Sequence, residues 1–271
     1  MKPRQSEARI ARAGGAATAK RGGGTRFGAC WLLALLPVLP TSVPAAAAAQ
    51  SEPDSDYSTR ETRAVMHDYA RCVVRRQPAK ASEAIAANLD NATILRKYPM
   101  LMSPDCLGDA ARRSVSMRFG GDLYRYALAD ALVSRELAAW TIPDLAAVPR
   151  LAHRDPGEAP SQLKPNGKPL GKRKYQAAVA VHEKAAAYAF LSRYGECAVR
   201  GDPAGSKALL LTGPDTPQES NAFNALRPVL ERCMVEGRTI SFGKVALRGS
   251  MAINLYRLAH AARRGATGTA G

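Results

Sequence analysis

Tyr69-Ala-Arg-Cys72-Val-Val74-Arg75-Arg-Gln-Pro78-Ala79 returns 125 residues later as Tyr194-Gly-Glu-Cys197-Ala-Val199-Arg200-Gly-Asp-Pro203-Ala204. Tyr, Cys, Val, Arg, Pro and Ala recur in register, and a further cysteine follows each copy, Cys106 and Cys233. A motif that repeats together with its own second cysteine reads as a duplicated unit held by a disulfide.

The repeated stretch sits on a helix. Val65, Tyr69, Cys72 and Val73 fall at i, i+4, i+7 and i+8, one face of an α-helix, and Phe190, Tyr194, Cys197 and Ala198 repeat that face. Pro78 and Pro203 each stand where a second helix starts, since proline suits the first turn and not the interior. Those helices are expected at about Ala79–Leu89 and Ala204–Leu211. A third helix is expected to carry the second cysteine of each half. In the second copy Thr216-Pro217-Gln-Glu219 is a capping signal, and Phe223, Leu226, Leu230, Cys233 and Met234 keep helical spacing. Pro99 and Pro104 make the first copy looser, and Asn91-Ala-Thr93 reads as a capped turn. A short extended piece, Ser114–Ser116 and Ser241–Gly243, precedes a final helix in each half, Gly121–Ala139 and Lys244–Arg263. The fold class expected is all-α: two tandem four-helix units, each with one disulfide, packed about a pseudo-two-fold axis.

Outside the repeat, composition sets the boundaries. Residues 1–49 hold seven Lys/Arg and one acid, then the apolar run Cys30–Leu39 and the alanines 45–49. A basic segment, a short apolar segment and a small-residue site make a secretory signal peptide, with cleavage expected between Ala49 and Gln50. The apolar run is about half of the ~20 residues that a spanning helix needs, so no transmembrane segment is expected after cleavage. Residues 50–58 and 265–271 are polar or small and are expected to be disordered. The halves are expected at 59–140 and 174–264. Between them residues 141–173 carry six prolines and are expected as an extended linker.

Charge and cysteines follow from export. The chain has 39 Lys/Arg and 23 Asp/Glu; without residues 1–49, 32 and 22 remain, a net charge of +10. In a periplasmic or secreted protein such charge points to anionic lipid headgroups, polysaccharide phosphates or wall polymers, and not to nucleic acid; it also simply favours solubility. Cys72, Cys106, Cys197 and Cys233 remain, and four cysteines in an oxidising compartment allow three pairings. The near-equal spacings, 34 and 36 residues, select Cys72–Cys106 and Cys197–Cys233.

Catalytic motifs are missing. His182-Glu183 opens like a zinc-protease helix, but Ala186 occupies the place of the second histidine. There is no G-x-S-x-G, and Gly120-Gly121-Asp122 lacks the lysine and hydroxyl of a phosphate loop. Asp122 and Asp130 lie about 12 Å apart along one helix at 1.5 Å per residue, which suits no glycosidase pair. No catalytic residue, metal or cofactor is therefore expected. The arginines near the repeat, Arg75, Arg118, Arg200 and Arg248, either bridge helix ends and carboxylates or form a doubled anion site, because guanidinium suits phosphate and carboxylate.

The combination of a signal peptide, Tyr-x-x-Cys-x-Val-Arg and the later Arg248-Gly249 with Leu255-Tyr256 resembles a group of uncharacterised exported proteins of Gram-negative bacteria. The first copy departs from it, with Arg118-Phe119. That resemblance implies no activity. The functional expectation is an exported, non-catalytic binding or envelope-associated protein, with an anionic envelope component or another exported protein as partner. The alternatives are a hydrolase of a cell-wall polymer and an inhibitor or accessory subunit.

Overall fold

Every residue from Leu247 to Ala259 is buried, so one helix runs through the middle of the protein with no solvent face. The computed structural model describes residues 60–108, 122–234 and 242–268. Its helices are α1 (Arg60–Arg76), α2 (Pro78–Ala86), α3 (Asn91–Lys97), α4 (Leu123–Leu132), α5 (Lys172–Gly201), α6 (Pro203–Leu210), α7 (Pro217–Arg232) and α8 (Lys244–Gly268). Among the described residues there is no strand, only an isolated bridge between Leu163 and Pro169. The protein is all-α.

α4 and α8 pack along each other. α1 backs α4 and α5 backs α8; α2 lies against both central helices, and α6 lies against α8. The core follows from this. Tyr69, Ala70, Val73 and Val74 of α1 meet α4, and Tyr194, Ala198 and Val199 of α5 meet α8. Close approach needs glycine at two places. A Cβ at Gly249 would collide with the ring of Tyr126 on α4, and one at Gly195 would collide with the hydroxyl of Ser250.

Local chemistry sets the helix starts. Pro78 and Pro203 each occupy the first turn of their helix. Asp90 accepts from the Thr93 N–H at 2.6 Å, Asp202 from the Gly205 N–H at 2.7 Å, and Thr216 from the Glu219 N–H at 3.2 Å. These N-caps satisfy donors that the helix itself leaves free. α4 continues as a π-helical turn, Val133–Leu137. That turn carries Arg135, which donates to the Val74 and Arg75 carbonyls at the end of α1.

Both expected disulfides are present: Cys72–Cys106, Cα atoms 5.5 Å apart, and Cys197–Cys233, 5.8 Å apart. Their setting differs from expectation in three respects. Cys106 lies on a 3-10 turn, Pro104–Cys106, because Pro99 and Pro104 remove the donors that would have carried α3 onward. Cys197 is exposed and Cys72 only partly buried, so the bridges lie at the margin of the core and not on its inward face. Val65 is 41 % exposed, and the buried face of α1 runs instead through Tyr69, Ala70, Val73 and Val74.

The proline-rich segment 141–171 is irregular, with a 3-10 turn, Leu145–Ala147, and a tight turn closed by the Leu163–Pro169 bridge, yet it is fastened to the helices. Leu145 is fully buried. Arg200 of α5 donates to the carbonyls of Leu145, Val148 and Pro149, and Arg257 of α8 donates to that of Ala152 at 2.8 Å. α8 extends to Gly268, beyond the expected end at Arg263. The expected signal peptide (1–49), residues 50–58, Ser114–Ser116, Arg118, Gly120-Gly121 and Ser241 lie outside the described residues. Among the described residues no helix is long and apolar enough to cross a membrane.

Candidate anion-binding site

Of the four arginines named near the repeat, the three described ones, Arg75, Arg200 and Arg248, are not brought together. Arg75 is exposed at the end of α1, and Arg118 lies outside the described residues. Arg200 uses its guanidinium on the segment 145–149 and on Glu196, at 2.7–2.8 Å. Arg248 is committed inside the protein. Its Nη2 meets both oxygens of Asp130 at 3.0 and 3.2 Å, and its Nη1 meets Glu219 at 3.0 Å. It also donates to the Leu209, Leu210 and Thr212 carbonyls, at and just beyond the C-terminal end of α6. One residue thereby ties α8 to α4, α6 and α7. His67 Nε2 lies 3.4 Å from Asp130 on the other side. The adjoining cavity, about 70 Å³, has room for several water molecules.

Positive charge concentrates elsewhere. Arg125 of α4, Arg154 of the extended segment and Arg257 of α8 lie near enough to repel one another. Burial, and then the nearby Arg125, lower the pKa of Arg154; the same two causes push Arg257 down to about 10. Arg257 is 8 % exposed, and its Nε and Nη1 have no hydrogen-bond partner. A guanidinium buried with unpaired donors is costly, by about 1–3 kcal/mol per group and more where charge is involved. It lines a groove of about 620 Å³ with Arg150, His260 and Arg264, along the seam between α8 and residues 149–152. No acidic side chain lines that groove among the described residues. Burial first, then Arg264 and Arg263, hold His260 below the ordinary histidine range. The groove lining is thus basic, with Glu196 near Arg257 and Glu136 near His260 as counter-charges.

A second cavity, about 240 Å³, opens on the side of α5 and is lined by Arg125, Arg154, Lys184, Tyr188 and Ser192 among others. There Asp122 lies 3.5 Å from Arg125, so this cavity carries charges of both signs. Beside it, His153 bridges Ser192 and Glu196, at 2.8 and 2.5 Å. Burial raises the Glu196 carboxyl, but hydrogen bonds from His153, the Leu151 N–H and Arg200 outweigh it and bring the group down to about 2.

Sequence reasoning missed these residues because the groove joins Arg150, in a proline-rich segment, to Arg257, over a hundred positions away. The one available signal was in α8: Arg257 and Arg264 are seven residues apart, with His260 three beyond Arg257, and so share a helical face. No group of three or more His, Cys, Asp or Glu among the described residues is placed to hold a metal ion. Neither a family model, a curated protein nor a solved structure matches this chain.

Proposed function

We propose that this is an exported protein that binds a phosphate-bearing component of the cell envelope in the groove lined by Arg150, Arg257, His260 and Arg264. The observation that carries the reading is the groove lining, Arg150, Arg257, His260 and Arg264 with no acidic side chain among the described residues, and the Arg257 guanidinium buried at its edge with two unpaired donors. A bound anion neutralises that excess charge, and arginine matches the phosphate oxygens in geometry as well as in sign. Export is supported by the basic and apolar segments of residues 1–49 and by two disulfides, which persist in oxidising compartments. The pairing of α1 with α4 and of α5 with α8 supports reading the halves as a duplicated unit with an approximate two-fold relation.

Co-sedimentation with vesicles tests this. The protein is expected to pellet with phosphatidylglycerol vesicles and not with phosphatidylcholine vesicles, and to be released by high salt. A basic residue near an anionic surface contributes about 1 kcal/mol. Replacing Arg150 and Arg264 together by glutamine therefore weakens binding by about thirtyfold. Equal binding to both vesicle types, or no effect of the double replacement, contradicts the proposal.

A further inference from the structure

We propose that Ser192 and His153, with Glu196 as positioning residue, form a nucleophilic relay that hydrolyses small esters bearing an anionic group, bound in the cavity beside α5. Ser192 and Glu196 are four residues apart on α5 and so face the same way. The imidazole of His153 sits between them, Nδ1 2.8 Å from the Ser192 hydroxyl and Nε2 2.5 Å from Glu196 Oε2. Glu196, held by Arg200 and by the Leu151 N–H at 3.1 Å, is acceptor-only as a carboxylate. The hydrogen of a neutral His153 therefore resides on Nε2, and the Nδ1 lone pair accepts from the serine hydroxyl. That is the division of labour of a serine–histidine–acid triad, which is recognised by geometry and roles and not by sequence order.

The relay opens onto a usable space. Ser192 lines the 240 Å³ cavity together with Arg154, Lys184 and Tyr188. The Asn254 amide holds the Ser192 carbonyl at 2.8 Å, which fixes the nucleophile on its helix. Arg125, Arg154 and Lys184 outnumber Asp122 and Asp155 in the cavity lining, and this net positive charge favours an anionic substrate group. Anchoring the extended segment does not require the serine, because Arg200, Arg257 and the Leu151 N–H already fasten residues 145–152.

The chemistry balances with water as the only co-reactant. The Ser192 oxygen attacks the ester carbonyl carbon while its proton passes to His153 Nδ1. The carbon–oxygen bond to the leaving alcohol then breaks, and that oxygen takes the proton from His153. Water, deprotonated by His153, attacks the acyl-serine; the carboxylic acid leaves and the serine recovers its proton.

Labelling of the full, disulfide-bonded protein with a fluorophosphonate probe, followed by peptide mass mapping, tests the relay. A covalent adduct is expected on Ser192, absent from Ser192→Ala and formed about a hundredfold more slowly in His153→Gln, the scale of general-base catalysis. Glu196→Gln is expected to slow labelling and Glu196→Asp, which keeps the carboxylate, to restore part of it. After subtraction of the rate seen with Ser192→Ala, nitrophenyl hemisuccinate is expected to be hydrolysed faster than neutral nitrophenyl butyrate. No adduct on Ser192 of the folded protein, or an adduct formed equally fast in His153→Gln, overturns the relay. Equal rates on the two esters overturn the anionic substrate class. None of these outcomes depends on vesicle binding at the Arg257 groove.

Discussion

At the scale of single residues, Arg248 and Arg257 show how the same side chain on one helix serves opposite ends. Arg248 is buried with two carboxylates and three backbone carbonyls around it, so its charge is neutralised and its donors are taken. Arg257, nine residues further along α8, has one carbonyl partner and two unpaired donors. Removing one partner from a buried ion pair costs about 3–5 kcal/mol, because the remaining charge is left uncompensated. Asp130→Asn is accordingly expected to lower unfolding stability by about that amount in a urea titration. A loss below about 1 kcal/mol would show that Asp130 does not compensate Arg248. The bond was not legible in the sequence: Asp130 and Arg248 are 118 residues apart, and only the packing of α4 on α8 brings them together.

At the scale of elements, the disulfides tether irregular structure to regular helices. Cys106 sits on a 3-10 turn and Cys233 at the C-terminal cap of α7, both ends that prolines or caps leave without a continuing hydrogen-bond ladder. Loops of 34 and 36 residues contribute roughly 3–4 kcal/mol each in the chain-entropy model. Replacing Cys72 and Cys106 together by serine is expected to remove about that much stability, read as a lower denaturant midpoint. An unchanged midpoint would mean that the bridge adds nothing to the fold. The element pattern itself was largely readable. Pro78, Pro203 and Thr216-Pro217 mark helix starts by local stereochemistry, and the cysteine spacing marks the bridges. The π-helical turn of Val133–Leu137 was not readable, since it answers to Glu136 meeting Tyr256 at 2.8 Å and Arg135 meeting the end of α1. The fastening of residues 145–152 was equally hidden, because proline content reports the conformation of that segment and not what holds it.

At the scale of the whole molecule, the excess positive charge was evident from composition, but its location was not. Several arginines are internal fasteners, and the charge left without acidic lining gathers where α8 meets residues 149–152. The histidine in that groove reports on occupancy. In the free protein, burial and the nearby Arg264 and Arg263 hold His260 below its usual range. A bound anion favours the protonated ring, so it raises the His260 pKa, and by linkage binding strengthens as the pH falls through that range. The most direct measurement is a proton NMR titration of the histidines with and without glycerol phosphate, with His260 assigned through His260→Gln. The account predicts that the His260 pKa moves upward when glycerol phosphate is added. A His260 titration that glycerol phosphate leaves unmoved would contradict it.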